Sequence, residues 1–267
     1  MKSISHIYSN ALLASIEASS AIMEVYKDHI EAIIKDDGSP VTKADFNASE
    51  IINRHLSKSN IPIIGEELTE ESFDIRSQWT ENWCVDPLDG TRMFLKRNDE
   101  FSVNIAHIKN KKPVFGLIAS PVNEEILFGG PGIGVFITSF KNYNNPSEWR
   151  EIEGVHFLNN PLTLTCSRSY QHGSGFNYIQ ILEKQFGELE YLRMGSALKF
   201  FELAKGNADL YPRFAPTMEW DIASGHAILK ALGGDIVSVS NNKSLEYNKK
   251  SLFNEPFIAK SRAFLKI

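Results

Sequence analysis

The chain has 267 residues, 42% of them hydrophobic and 23% charged, and a formal net charge of -5. This composition excludes a disordered chain and allows a substantial core, and the acidic balance argues against a surface that grips nucleic-acid backbones. Two cysteines are too few for a disulfide framework, no stretch approaches the ~20 apolar residues of a membrane span, and the first residues lack a signal-peptide pattern.

These properties predict a cytoplasmic protein with Cys84 and Cys166 as buried free thiols. Peripheral attachment at the inner membrane stays open, as does the choice between monomer and homodimer.

In chain order, residues 5–34 read as an amphipathic helix with Leu12, Ile16, Met23, Tyr26 and Ile30 on one stripe. The turn chemistry of Asp36-Asp37-Gly38-Ser39-Pro40 ends it. A second helix is expected after Thr42, turning Ala48, Ile51, Ile52, His55 and Leu56 inward. Residues 61–64 predict a short strand that runs into Gly65-Glu66-Glu67. A further apolar run, Trp83-Cys84-Val85, delivers Asp86-Pro87-Leu88-Asp89-Gly90-Thr91. Residues 101–108 and 113–119 predict two strands turned by the polar run 109–112, and 126–128 continues their sheet. The glycine-rich stretch 129–134 opens no helix, so it is not a dinucleotide fingerprint.

Residues 141–160 are polar and irregular. They are the expected join between an N-terminal α+β metal-binding lobe, 1–150, and a C-terminal α/β substrate-binding lobe, 151–267, packed as one compact unit. The second half alternates strand-like and helical runs at 162–167, 178–186, 197–205, 209–211, 221–232 and 236–239, which predicts sheets and helices in layers.

Three acidic clusters follow apolar runs: Glu66-Glu67, Asp86 with Asp89, and Asp221 in Glu219-Trp220-Asp221. Any one of them could be a solvated loop charge. Their repetition at strand ends and helix starts is what suggests convergence, and converging carboxylates need a cation to neutralise them. With no set of histidine or cysteine ligands, hard ions fit best: magnesium first, with manganese or calcium behind. The proline and glycine of the aspartate loop restrict and free its backbone in turn. Asp221 could also serve the start of its own helix, and Thr42-Lys43-Ala44-Asp45 has the form of a capping box.

The ordered set of Gly65-Glu66-Glu67, Asp86-Pro87-Leu88-Asp89-Gly90-Thr91 and Trp220-Asp221-Ile222-Ala223-Ser224-Gly225 resembles the lithium-sensitive, magnesium-dependent phosphomonoesterases related to inositol monophosphatase. Within them the chain looks most like the CysQ-type 3'(2'),5'-bisphosphate nucleotidases of sulfur metabolism. The residues that carry this closer likeness are Ser39-Pro40-Val41-Thr42 followed by Asp45, Phe94-Leu95-Lys96-Arg97-Asn98, Ser167-Arg168-Ser169, Gly195-Ser196-Ala197-Leu198-Lys199-Phe200 and Leu210-Tyr211-Pro212-Arg213-Phe214. The chain departs from that branch at Tyr170, where histidine is usual, at Met93, where an acid is common, and at Asp99, where glycine is common.

The resemblance implies an α+β fold, the layered α/β/α/β/α sugar-phosphatase architecture. It also implies roles. Glu66, Asp86, Asp89, Asp221 and the Leu88 carbonyl would hold two or three magnesium ions, or manganese, with Glu67 at the outer metal site. Asp45 would pair with the Thr91 hydroxyl to orient the attacking water. Gly90 and Thr91 would meet the transferring phosphoryl group. Ser196, Lys199, Arg213, Arg168 and Ser169 would hold the rest of a small nucleotide, adenosine 3',5'-bisphosphate. Two alternatives stand beside this reading: a phosphatase for an inositol or sugar phosphate, and a metal-binding regulatory homologue without turnover.

Overall fold

The computed structural model describes residues 4–28, 32–35, 38, 40–168 and 175–267. Helix α1 (His6–Lys27) is shorter than its hydrophobic period suggests. The end of the expected helix is instead strand β1 (Ala32–Ile34), which pairs antiparallel with β2 (Pro40–Thr42). Two consecutive β-branched residues, Ile33 and Ile34, favour this extended hairpin before the turn; Ile30 lies outside the described residues. The buried face of α1 also differs from the expected stripe. Ala11, Ala14, Ser15, Ala18 and Ser19 are buried beside Leu12, Ile22 and Tyr26, whereas Ile16 and Met23 are only partly covered. Small side chains let α2 (Lys43–Leu56) pack closely against α1 through Ala44 and Ala48.

The chain continues through β3 (Ile63–Gly65), the short α3 (Phe73–Arg76), β4 (Glu81–Asp89) and a single-turn α4 (Thr91–Leu95). Strands β5 (Ser102–Lys109), β6 (Lys112–Ser120), β7 (Glu125–Gly130), β8 (Gly134–Ser139) and β9 (Arg150–Ile152) follow. Among the described residues they form one seven-stranded sheet in the order β3 to β9, antiparallel except for the β3–β4 pair.

The second half adds β10 (Leu162–Cys166), α5 (Phe176–Phe186), β11 (Leu189–Arg193), α6 (Lys199–Lys205), β12 (Leu210–Arg213) and β13 (Thr217–Met218). It ends with α7 (Glu219–Ala231), β14 (Asp235–Ser238), β15 (Phe253–Asn254) and β16 (Phe257–Lys260). A second, mixed sheet has the order β11-β10-β12-β16-β14.

Alternation along the first sheet explains the layers. Trp83, Val85, Val103 and Ile105 face α1 and α2, while Cys84, Ala106, Ile108 and Ile118 face the cluster that holds α6 and α7. The second sheet closes that inner cluster through Tyr211, Ile236, Phe257 and Ala259; Leu162, Leu164, Leu210 and Ile258 pack outward against Ile179 and Leu182 of α5. The order of layers is α/β/α/β/α. Helix α7 lies directly on β6, where a Cβ on Gly116 would stand 2.0 Å from the Ser224 carbonyl oxygen. This close approach sets where the start of α7, and so Asp221, meets the end of β4.

Candidate active site

In a regular strand, residues three apart point to opposite faces. Asp86 and Asp89 share a face because β4 carries one extra residue there. Asp86 pairs with Asn104 and Asp89 with Ser102, so three steps on β4 oppose two on β5. This is a β-bulge at a strand end, a position that tolerates the missing donor of Pro87. Asp86 turns back on the bend, its Oδ1 accepting the Leu88 N–H at 3.0 Å. Asp89 Oδ2 accepts from the Asn104 side chain at 3.2 Å and from the Ala197 N–H at 2.5 Å. The chain then turns through Gly90 at φ 96°, where a Cβ would lie 2.9 Å from the Glu100 carbonyl oxygen.

Asp221 comes from the other half of the chain, in the first turn of α7, where its Oδ2 accepts the Met218 N–H at 2.8 Å. Carboxylate oxygens of Asp86, Asp89 and Asp221 come within 4.8 Å of one another. Burial pushes all three carboxyls up; Glu66 and Asp89 push Asp86 further, burial and then Asp89 bring Asp221 to about 8, and for Asp89 the nearby Lys199 holds the rise back. An all-oxygen set that repels itself fits a hard divalent cation, which would neutralise it. Asp86, Asp89 and Asp221 could hold such an ion.

Glu66 and Glu67 stand beside this cluster rather than in it. Lys35, between β1 and β2, binds both, at 3.1 Å to Glu66 and 2.5 Å to Glu67. Burial raises Glu66 above the usual carboxylate range, and Lys35 opposes that rise. Glu66 nonetheless adds to the charge felt by Asp86 and Asp221.

Asp45 has both of the roles its sequence left open. Its Oδ2 accepts the Thr42 N–H at 2.7 Å and the Thr42 hydroxyl at 2.6 Å, closing the cap of α2. Its Oδ1 accepts the Thr91 hydroxyl at 3.1 Å, and that hydroxyl also lies 3.2 Å from the Leu88 carbonyl oxygen. The side chain is buried, which raises its pKa, while the Thr42 bonds hold the rise back. The Asp45–Thr91 pair therefore joins α2 to the bend that carries Asp86 and Asp89.

Asp89 and Asp221 also line a cavity of about 190 Å³. Arg168, Ser196, Lys199 and Arg213 line it as well. Lys199 is buried, its ammonium 3.4 Å from the Met194 carbonyl and bound to that of Ser196; burial pulls its pKa down to about 8 against the pull of Asp89. Among the described residues the buried Arg213 Nε has no hydrogen-bond partner, which leaves a donor at the wall of the cavity. Ser196 sits at φ 47°, and its hydroxyl accepts the Leu198 N–H at 3.3 Å. Arg168 is exposed and forked onto Glu100. Met93 lines the same cavity. Ser169 and Tyr170 lie outside the described residues.

Lys35, Asn104 and Glu100 were not singled out by the sequence. Asn104 left a usable signal, a polar residue inside the apolar run 101–108. Lys35 and Glu100 look like ordinary solvated loop charges, and no local pattern marks them.

The pattern of the inositol monophosphatase family matches residues 4–264. The chain belongs to that family. Its relatives include the 3'(2'),5'-bisphosphate nucleotidase CysQ of Salmonella typhimurium, 37% identical over 90% of this chain and 93% of that protein. The protein of the same name from Escherichia coli K12 is 36% identical over the same shares. Among solved structures, CysQ from Bacteroides thetaiotaomicron superposes with a TM-score of 0.84 at 35% identity, covering 95% of this chain and 96% of that one. The suhB protein of Bartonella henselae, at 24% identity and a TM-score of 0.75 over 97% and 95% of the two chains, shares the fold.

Proposed function

We propose that this chain is a magnesium-dependent 3'(2'),5'-bisphosphate nucleotidase that converts adenosine 3',5'-bisphosphate to AMP and phosphate. The observation that carries the reading is the lining of one cavity, which gathers the carboxylates Asp89 and Asp221 and the cations Lys199, Arg213 and Arg168. A molecule with one phosphate to cut and one to hold fits a lining that combines acids able to take a cation with cations able to take an anion. The CysQ relatives support the same substrate class.

Asp86, Asp89, Asp221 and Glu66, with the Leu88 carbonyl, would hold magnesium or manganese, and Glu67 would serve an outer position. Bound there, the ions would ease ionisation of water and neutralise charge on the phosphoryl oxygens. Asp45 holds the Thr91 hydroxyl, and the pair orients the attacking water in line with the departing ribose oxygen. Backbone donors at Gly90 and Thr91 meet the transferring group. Arg213 offers its Nε–H and Lys199 a point charge to the phosphate that is kept, with Ser196 on the same cavity.

On this reading residues 1–150 supply most of the metal carboxylates and residues 151–267 the nucleotide contacts, with Asp221 crossing over from the second half. The ligand is a small nucleotide, the enzyme acts in the cytosol as a monomer or homodimer, and no membrane span takes part; among the described residues no helix is long and apolar enough to form one.

Specificity constants for adenosine 3',5'-bisphosphate, AMP and myo-inositol 1-phosphate test the substrate. The bisphosphate should be the best substrate and AMP should accumulate uncut. A preference for the inositol ester would move the enzyme to the other branch of its family.

A further inference from the structure

The loop between α4 and β5 carries Glu100, to which the nucleotidase reading gives no role. Its side chain is 14% exposed and accepts from two other segments. Arg168 approaches as a fork, Nε to Oε2 at 2.6 Å and Nη2 to Oε1 at 2.5 Å. The Gly195 N–H reaches Oε2 at 2.9 Å. The Glu100 main chain is equally engaged, since a Cβ on Gly90 or on Gly195 would stand 2.9 Å from its carbonyl oxygen. One residue thus touches the turn into α4, the segment after β10 and the loop before α6. These segments supply Asp89, Arg168 and Ser196 to the cavity.

An ion pair this exposed adds little to the stability of a fold, because water and salt screen it. Its effect is geometric. Lys199 is buried and fixed by main-chain carbonyls, whereas the Arg168 side chain is 55% exposed and would sample many rotamers if released. Glu100 engages the Nε and Nη2 edge of the guanidinium, which sets its plane and leaves the Nη1 edge to meet a ligand. Through the Gly195 N–H the same carboxylate anchors the turn that holds Ser196 in its left-handed conformation.

We propose that Glu100 is a positioning residue for nucleotide recognition, holding Arg168 and the Gly195–Ser196 turn where they receive the uncut end of a nucleoside bisphosphate. The inference rests on the nucleotidase reading.

Glu100→Gln keeps an acceptor for the Gly195 N–H and removes the charge that holds the fork. The expected result is a KM for adenosine 3',5'-bisphosphate raised about tenfold, with kcat within about twofold and the magnesium half-saturation unmoved. Arg168→Ala should raise KM as well, and the double variant should be no worse than Arg168→Ala alone, because Glu100 acts through Arg168. Should Glu100→Gln fail to fold, Arg168→Lys keeps the charge, loses the fork and must show the same rise in KM.

An unchanged KM, a fall in kcat alone or additive losses in the double variant would overturn the inference. A lowered KM would overturn it too, since Glu100 would then be masking charge. Wild-type enzyme that releases no phosphate from the bisphosphate removes the nucleotidase reading and this inference together. Wild-type turnover with an unaffected Glu100→Gln variant removes the inference alone.

Discussion

Glu219 and Asp221 sit two residues apart in the first turn of α7, and their surroundings are opposite. Glu219 is fully buried and answered: the Asn248 N–H at 2.6 Å, the Lys249 N–H at 3.1 Å and the Lys249 ammonium at 2.6 Å all donate to it. Asn248 in turn exchanges hydrogen bonds with the buried Arg76, so this acid belongs to a closed polar network. Asp221 takes the Met218 N–H, converges with Asp86 and Asp89, and has no ion pair of its own among the described residues, although Arg213 and Lys199 line the same cavity. A buried acid with its own cation is part of the scaffold. Acids that converge on one another repel unless a cation from outside neutralises them. The difference lies in what each side chain meets, since both are acids on the same turn.

Four substitutions and one titration can break that contrast. Asp89→Asn should have the largest effect, a loss of turnover of about a thousandfold, equivalent to about 4 kcal/mol of barrier. Steady-state phosphate release checks it. Asp45→Asn and Thr91→Ala should each lower kcat by about a hundredfold or more, as removal of a proton-accepting or orienting group does. Together they should cost little more than either alone, because they act as a pair.

Lys249→Met should act on the other member of the contrast. It leaves Glu219 buried without its counter-charge and should cost about 2 kcal/mol of stability, discounted for the partly exposed ammonium. Thermal or urea unfolding reads this loss, while the magnesium half-saturation should stay as in wild type.

The smallest expected effect is on pH dependence. The carboxyls of Asp86, Asp89 and Asp221 are held above their ordinary range by burial, with repulsion from neighbouring acids adding to it at Asp86 and at Asp221, which lies at about 8. Protonated, they favour the folded state. That contribution is fully present below the unfolded carboxylate pKa of about 4 and is lost as pH rises towards about 8. Without divalent ions, Tm should therefore fall across this window. Magnesium should raise Tm more at its upper end than at its lower end, since binding requires the ionised acids.

Much of this was legible from the residues alone. Alternating apolar positions gave the central hairpin of β5 and β6, and turn residues marked its connection. The helix after Thr42 began where its cap said it would. Other elements left weak signals. Strands β9 and β11 carry charged residues at exposed positions, and β16 is short, so pairing with neighbours decides them rather than local pattern. The overlong reading of α1 failed because apolar period says nothing of where small residues seat a partner helix, and because Ile33 and Ile34 favour extended backbone.

At the site, the three aspartates could be named from their place at strand ends and helix starts. Their common face could not, because it depends on the one-residue bulge between Asp86 and Asp89, which shows only when β4 is set against β5. The Asp45–Thr91 contact spans 46 residues, and resemblance rather than spacing pointed to it. Lys35 and Glu100 are tertiary partners whose function depends entirely on the groups they meet.

The most direct test of the account is calorimetric titration of magnesium into wild-type, Asp89→Asn and Lys249→Met proteins, each checked for folding beforehand. The account predicts binding to wild type and Lys249→Met with similar affinity and its loss or strong weakening in Asp89→Asn. Wild-type affinity in Asp89→Asn, or a loss in Lys249→Met alone, would contradict the assignment of the converging aspartates as the cation site.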